Sequence, residues 1–146
     1  MQLQKIKLQM VKINDPIFTL ETITSPKDIM TLINSRERYD LSPNKHMILI
    51  GMNIKNDMIL YTEVAMGDPN KICISPADIF KPLLVTNCTK FIIATNNTSG
   101  HLEPSTNDIR FKENIQANAR LMGLDFIDFI LIADQDHYKS IMKGDE

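Results

Sequence analysis

The sequence predicts an α/β sandwich, a mixed sheet with helices packed on it. Three observations predict it. Short, nearly continuous apolar runs at His46–Met52, Phe91–Ala94 and Phe126–Ile132 have the length and composition of buried strands. Amphipathic stretches stand between such runs and open with helix-start chemistry: Ser25-Pro26-Lys27-Asp28, Ser75-Pro76-Ala77-Asp78 and Ser105-Thr106-Asn107-Asp108. The resulting order (strand, helix, strand, strand, strand, helix, strand, helix, strand, strand) mixes hairpins with crossovers, as a layered α/β architecture does.

Each element has its own local reason. Leu3–Ile13 alternates apolar Ile6, Leu8 and Met10 with Lys5, Lys7 and Gln9, the pattern of a strand with one wet face, and Asn14-Asp15-Pro16 breaks it. Ser25 caps a first helix, with Pro26 at its first position and Asp28 in its first turn; Ile29, Leu32, Ile33 and Arg36 share a face. Arg36–Lys45 is charged, ends in Ser42-Pro43-Asn44 and reads as a loop. His46–Met52 and Met58–Ala65 flank the turn 53–57 and form a hairpin. A turn at Gly67-Asp68-Pro69-Asn70 precedes a short strand, Lys71–Ile74. Ser75 starts a second helix that Pro82 should kink or confine to one side, and Thr86-Asn87 ends it. The third helix runs from about Ser105 to Met122, with Phe111, Ile115, Asn118 and Met122 on one face and Gly123 as its stop. Phe126–Ile132 and a weaker His137–Met142 are the last strands.

At 146 residues the chain is read as one domain, 1–146, with 1–24 as an N-terminal strand and lead-in. Hydrophobic residues at 43% and charged residues at 23% suit a globular protein and exclude a disordered one. A net charge of -2 supplies no basic field, so nucleic acid is not an expected partner. Met1–Asn14 holds no signal-peptide core and no stretch approaches the length of a membrane span, which predicts a cytoplasmic protein without membrane association. Cys73 and Cys88 lack metal-like spacing and read as buried free thiols. The glycosylation triplets at Asn87, Asn96 and Asn97 read as chance matches. Nine methionines suit an adaptable core or an interface.

The informative stretch is Phe91–Asp108: an apolar run, a polar loop with Gly100, then a helix start. It resembles the signature of the RadC-like branch of the JAB/MPN (JAMM) metalloprotease family. That signature is His-x-His, a fixed spacer, then Ser-x-x-Asp. The spacing survives here from Thr95 and Asn97, through 98–104, to Ser105 and Asp108. Asn96 and Ser99-Gly100 also survive, but Thr95 and Asn97 stand where the histidines belong. Ser75–Phe80, Leu121–Leu124 with Ile127–Ile132, and Tyr138-Lys139-Ser140 match further family segments, and position 129 is another lost histidine. The resemblance covers the chain from roughly Ser25 onward and implies the JAB/MPN fold, with a cytidine-deaminase-like mixed sheet sandwiched by helices.

In active relatives two imidazoles and the Asp hold zinc, an upstream Glu is the general base, and the Ser helps stabilise the oxyanion. Counting along the strand, the resemblance puts Lys45 at the Glu position, or His46 if the register slips by one; Lys45 itself reads as a solvated strand end. Thr hydroxyl and Asn amide are weak neutral donors for zinc, which leaves Asp108 as the sole remnant ligand and no resident cofactor expected. Ser105-x-x-Asp108 is equally a helix capping box. His101, Glu103 and Asp108 are the compact set from which a displaced metal site would have to be built, although the first two read as a solvated loop. Glu63 reads as outward-facing and His137 as a polar turn residue, and no Ser-His-Asp arrangement is visible. Thr95–Gly100 is good turn chemistry that could line a pocket for a small polar ligand.

The expectation that follows is a degenerate, non-catalytic member of the family, a pseudoenzyme that binds a protein partner or itself. The alternative is a zinc peptidase of the JAMM class with an altered site. A weaker one is nucleic-acid binding, after the DNA-repair label the family carries.

Overall fold

The computed structural model describes residues 2–4, 23–67 and 74–142. Its elements are α1 (Pro26–Arg36), a 3-10 turn (Tyr39–Leu41), β1 (Lys45–Met52), β2 (Met58–Gly67), α2 (Pro76–Val85), β3 (Lys90–Asn96), α3 (Thr106–Met122), β4 (Asp125–Ile132) and β5 (Tyr138–Ser140). The strands form one sheet in the order β2-β1-β3-β4-β5. β3 and β4 are parallel and are joined through α3, while the other neighbours are antiparallel. This is the expected α/β mixed sheet with helices on both faces.

Strands alternate their side chains, so residue parity assigns positions to a face in β1, in β3 and in β4 from Asp128 onward; before that a register shift puts Phe126 on the face of Phe91. Odd residues Met47, Leu49, Phe91, Ile93, Phe129 and Leu131 pack under α2 and α3, against Ile79, Phe80, Leu83, Ile115 and Ala119. Even residues Ile48, Ile50, Met52, Ile92, Ala94, Ile130 and Ile132 pack under α1, against Ile29, Met30, Leu32 and Ile33. Burial on both faces is why these strands read as unbroken apolar runs. Gly51 leaves the space that Cys88, Leu83 and Leu60 fill, and a Cβ there would collide with the Cys88 sulfur.

The helix starts follow the predicted chemistry. Ser25 Oγ accepts from the Asp28 amide at 3.4 Å, and Thr24 donates twice to Asp28 Oδ2. Those bonds hold the Asp28 carboxyl below the usual carboxylate range. In α2 the Ser75 amide and hydroxyl both donate to Asp78 Oδ2. Gly123 ends α3 in the left-handed region, at φ 69°.

Four expectations change. α2 runs through Pro82 to Val85 without interruption; the Thr86 amide bonds back to the Pro82 carbonyl, so the helix closes beyond the proline. The packed face of α3 is Asp108, Phe111, Ile115 and Ala119, whereas Met122 is 45% exposed. The 36–45 segment is not all loop: it contains the Tyr39–Leu41 turn, with Tyr39 buried, and Lys45 already belongs to β1. The final strand is shorter than 137–142 and ends at Ser140. The strand expected over 3–13 and its Asn14-Asp15-Pro16 break lie mostly outside the described residues, as do positions 68–70 of the expected turn and 71–73 of the strand after it.

Candidate functional site

The start of β1 is where the predicted site residues meet. β1 runs antiparallel to β3 with Met47 opposite Thr95, which brings Lys45 to the end of the sheet where β3 leaves for its loop. Lys45 is odd and faces α3; His46 is even and faces the α1 side. Two neighbouring residues therefore serve two different clusters.

On the α3 face, Lys45 Nζ lies 3.4 Å from Asp108 Oδ1, with the lysine side chain 19% exposed and the aspartate 10%. The other oxygen of Asp108, Oδ2, accepts from the Ser105 amide at 2.9 Å, and Ser105 Oγ accepts from the Asp108 amide at 3.1 Å. Asp108 is thus both the capping-box acid of α3 and the partner of an ammonium. Lys45 is not the solvated strand end that its residue type suggests; the carboxylate across from it draws it in.

Thr95 is 1% exposed and donates its hydroxyl to the His46 carbonyl at 2.8 Å. Asn97 turns into its own loop: Nδ2 donates to the His101 carbonyl, and Oδ1 accepts from Ser99 Oγ at 2.8 Å. This is the Asx-turn chemistry the composition suggests, and Gly100 at φ 76° completes it. His101 and Glu103 are exposed. Among the described residues no three His, Cys, Asp or Glu side chains come together as metal ligands would, so His101, Glu103 and Asp108 are not gathered. Lys45, Ser105 and Asp108 are.

Asn96 points to the opposite face and clamps the segment before β1. It is 2% exposed; Oδ1 accepts from the His46 amide at 2.6 Å, and Nδ2 donates to the carbonyls of Tyr39 at 3.0 Å and Asn44 at 2.9 Å. A buried side-chain amide with both ends satisfied fixes the backbone around it.

That clamp holds a cluster the sequence does not reveal. His46 is 8% exposed, with Nδ1 2.6 Å from Glu63 Oε1 and Nε2 2.7 Å from Ser42 Oγ. Its ring lies 5.0 Å from that of Tyr39, tilted by 52°. Burial raises the Tyr39 phenol above its ordinary pKa, with Glu63 adding to the effect. Burial pushes the Tyr61 phenol, beside it, still higher. A Ser-His-acid arrangement is therefore present. It was invisible because its members come from a turn and two strands, and because of a β-bulge. Lys45 pairs with Gly67 and Met47 with Ala65, but Ile48 pairs with Glu63. An unbroken register would have set Glu63 opposite Leu49, on the α3 face; the extra residue, Val64, shifts it to the face of His46.

The remaining candidates are structural. His137 is exposed and its Nδ1 lies 2.7 Å from Asp134 Oδ2, a polar turn as expected. Phe129, in the third histidine position, is fully buried core. Ser140 donates to the buried carboxylate of Asp128, tying β5 to β4. Burial raises the Cys88 thiol, which packs inside; Cys73 lies outside the described residues. Among the described residues no helix is long and apolar enough to cross a membrane.

Comparison with known proteins matches residues 23–145 to the RadC-like JAB domain. A UPF0758 protein of Methanosarcina mazei is 30% identical over 112 residues, covering 77% of this chain and 48% of the relative. One from Staphylococcus haemolyticus is 29% identical over 122 residues, 84% of this chain and 53% of the relative. One from Bacillus licheniformis is 30% identical over 122 residues, 84% and 54% respectively. The chain spans about half the length of the relatives it matches.

Proposed function

The chain belongs to the RadC-like JAB domain family, and from that premise we propose that it is a member in which zinc hydrolysis has been given up and the fold serves as a binding or scaffold protein. The observation that carries this reading is the ammonium of Lys45 at 3.4 Å from Asp108 Oδ1. Zinc in an active site needs about three protein ligands and an open position for water. Of the residues at the motif positions, Thr95 has committed its hydroxyl to the His46 carbonyl and Asn97 its amide to the loop. Asp108 faces a cation already. Two unit charges about 4 Å apart interact with roughly 4 kcal/mol at an effective dielectric of about 20, so a dication beside the ammonium meets about twice that in repulsion. The residues present do not fit zinc.

What favours binding in its place is the other end of the sheet. Met52 of β1 lies opposite Lys90 of β3, and Lys90 lies beside Asp125 of β4. The β1–β2 turn and the C-termini of α2 and α3 therefore share that end. It carries Ile54 at 75% exposure, Leu84 at 50%, Val85 at 49%, Leu121 at 86% and Met122 at 45%. Large apolar side chains gathered at one end, away from the degenerate pocket, suit a protein-binding or self-association surface.

The decisive experiment is elemental analysis of the purified protein after loading with zinc and extensive desalting. The expected result is no stoichiometric metal. One zinc per chain, lost on Asp108→Ala, sinks the reading in favour of a metallopeptidase with an altered site. For the surface, light scattering is expected to show a mass above that of the monomer that falls to the monomer value in Leu121→Glu.

A further inference from the structure

We propose that Ser42, His46 and Glu63 form a second, metal-independent site in which Ser42 is an activated nucleophile toward small activated acyl compounds. The chemistry follows from donor and acceptor roles. A carboxylate only accepts, so in the neutral ring the 2.6 Å contact between Glu63 Oε1 and His46 Nδ1 selects the tautomer with its proton on Nδ1. In that tautomer Nε2 carries the lone pair and, at 2.7 Å, accepts the Ser42 hydroxyl proton. A hydroxyl bonded to a base, with the base oriented by an acid, is the geometry that makes a serine nucleophilic.

The imidazole is held in place for this role. Its backbone amide is fixed by Asn96 Oδ1 at 2.6 Å, its carbonyl by the Thr95 hydroxyl at 2.8 Å, and its ring by Tyr39. Ser42 closes the Tyr39–Leu41 turn, its amide bonded to the Tyr39 carbonyl at 3.1 Å, and it is only partly buried. The Asn44 amide donates to Ser42 Oγ at 3.2 Å and fixes the position of the hydroxyl. Leu41, the residue before Ser42, is 71% exposed and available for apolar contact with an incoming acyl group.

In the reaction, Ser42 Oγ bonds to the carbonyl carbon of an activated ester while its proton passes to His46 Nε2. The ester C–O bond breaks and the leaving alcohol takes that proton. Water then attacks the acyl-serine with His46 accepting its proton, releasing the carboxylic acid and restoring the hydroxyl. Ser42 and His46 touch the reacting atoms; Glu63 acts through His46 as a positioning residue. The site lies on the α1 face and its three members stand apart from the Lys45–Asp108 pair on the α3 face, so its failure leaves the reading of that pair untouched.

The test is labelling of the full chain with a fluorophosphonate, in which Ser42 Oγ displaces fluoride from phosphorus, read by intact mass and peptide mapping. One label per chain at Ser42 is expected, absent in Ser42→Ala and slowed at least tenfold in Glu63→Gln, with both variants keeping the wild-type melting temperature within a few degrees. p-Nitrophenyl acetate should give a matching acetyl-Ser42 adduct. No adduct, adducts scattered over several serines, or a Glu63→Gln rate equal to wild type would overturn the proposal and leave the three residues as a structural clamp. If Glu63→Gln melts early, Ser42→Ala and the mapped adduct decide alone.

Discussion

The two faces of β1 at its first two residues make opposite use of charge. On the α3 face Lys45 and Asp108 neutralise each other, and the second carboxylate oxygen is taken by a helix cap, so nothing reactive is left over. On the α1 face the chain Glu63–His46–Ser42 ends on a hydroxyl that only partly leaves solvent. Polar side chains that meet at the start of one strand thus stabilise a fold in one case and point chemistry outward in the other. The difference lies in whether the last member of the chain is closed by another protein group. A polar side chain at the end of a strand therefore takes its role from its partner: Lys45 is closed off by Asp108, whereas His46 passes its contact on to Ser42.

Three substitutions sharpen this contrast. Asn96→Ala should be the most damaging, because it removes three hydrogen bonds from a side chain that supports the start of β1 on behalf of both clusters. A loss of about 3 kcal/mol is expected in denaturant unfolding, since buried partners are left unsatisfied. Equal stability would mean that water replaces the clamp. Asp108→Ala comes next, at about 2 kcal/mol, because it removes a capping acid and leaves a partly buried ammonium without its partner. Lys45→Met should be milder, about 1 kcal/mol, since Asp108 keeps its Ser105 bond. In the double variant the two losses should fall short of their sum by about 0.5–1 kcal/mol. Strict additivity would show that the pair is a contact without coupling.

The layered fold was legible because its determinants are local. Apolar runs 46–52, 91–94 and 126–132 became β1, β3 and β4, the serines at 25, 75 and 105 became caps, and Gly123 became a left-handed stop. The start of α3 at its Ser105 cap agrees with the expectation, but the loop begins later than Thr95: Thr95 and Asn96 still pair with Leu131 and Ile132 and belong to β3. What escaped was set by relations between elements. Lys45 looked solvated because its partner lies 63 residues away. Glu63 looked merely outward because residue type and alternation say nothing of a bulge in the neighbouring ladder. Ser42 looked like part of a loop because the short turn before it is held by Asn96, across the sheet. The packed face of α3 passes through Ala119 and leaves Asn118 and Met122 to the side, because a 3.6-residue period allows either of two neighbouring positions and the sheet chooses between them.

The cation opposite Asp108 is bonded to the polypeptide itself. A chelator cannot strip it, a competing ion cannot exchange for it, and starvation for trace elements does not vacate it. Every copy of the chain leaves the ribosome with this charge already aboard, so the pocket's electrostatic character is inherited with the gene and owes nothing to the medium.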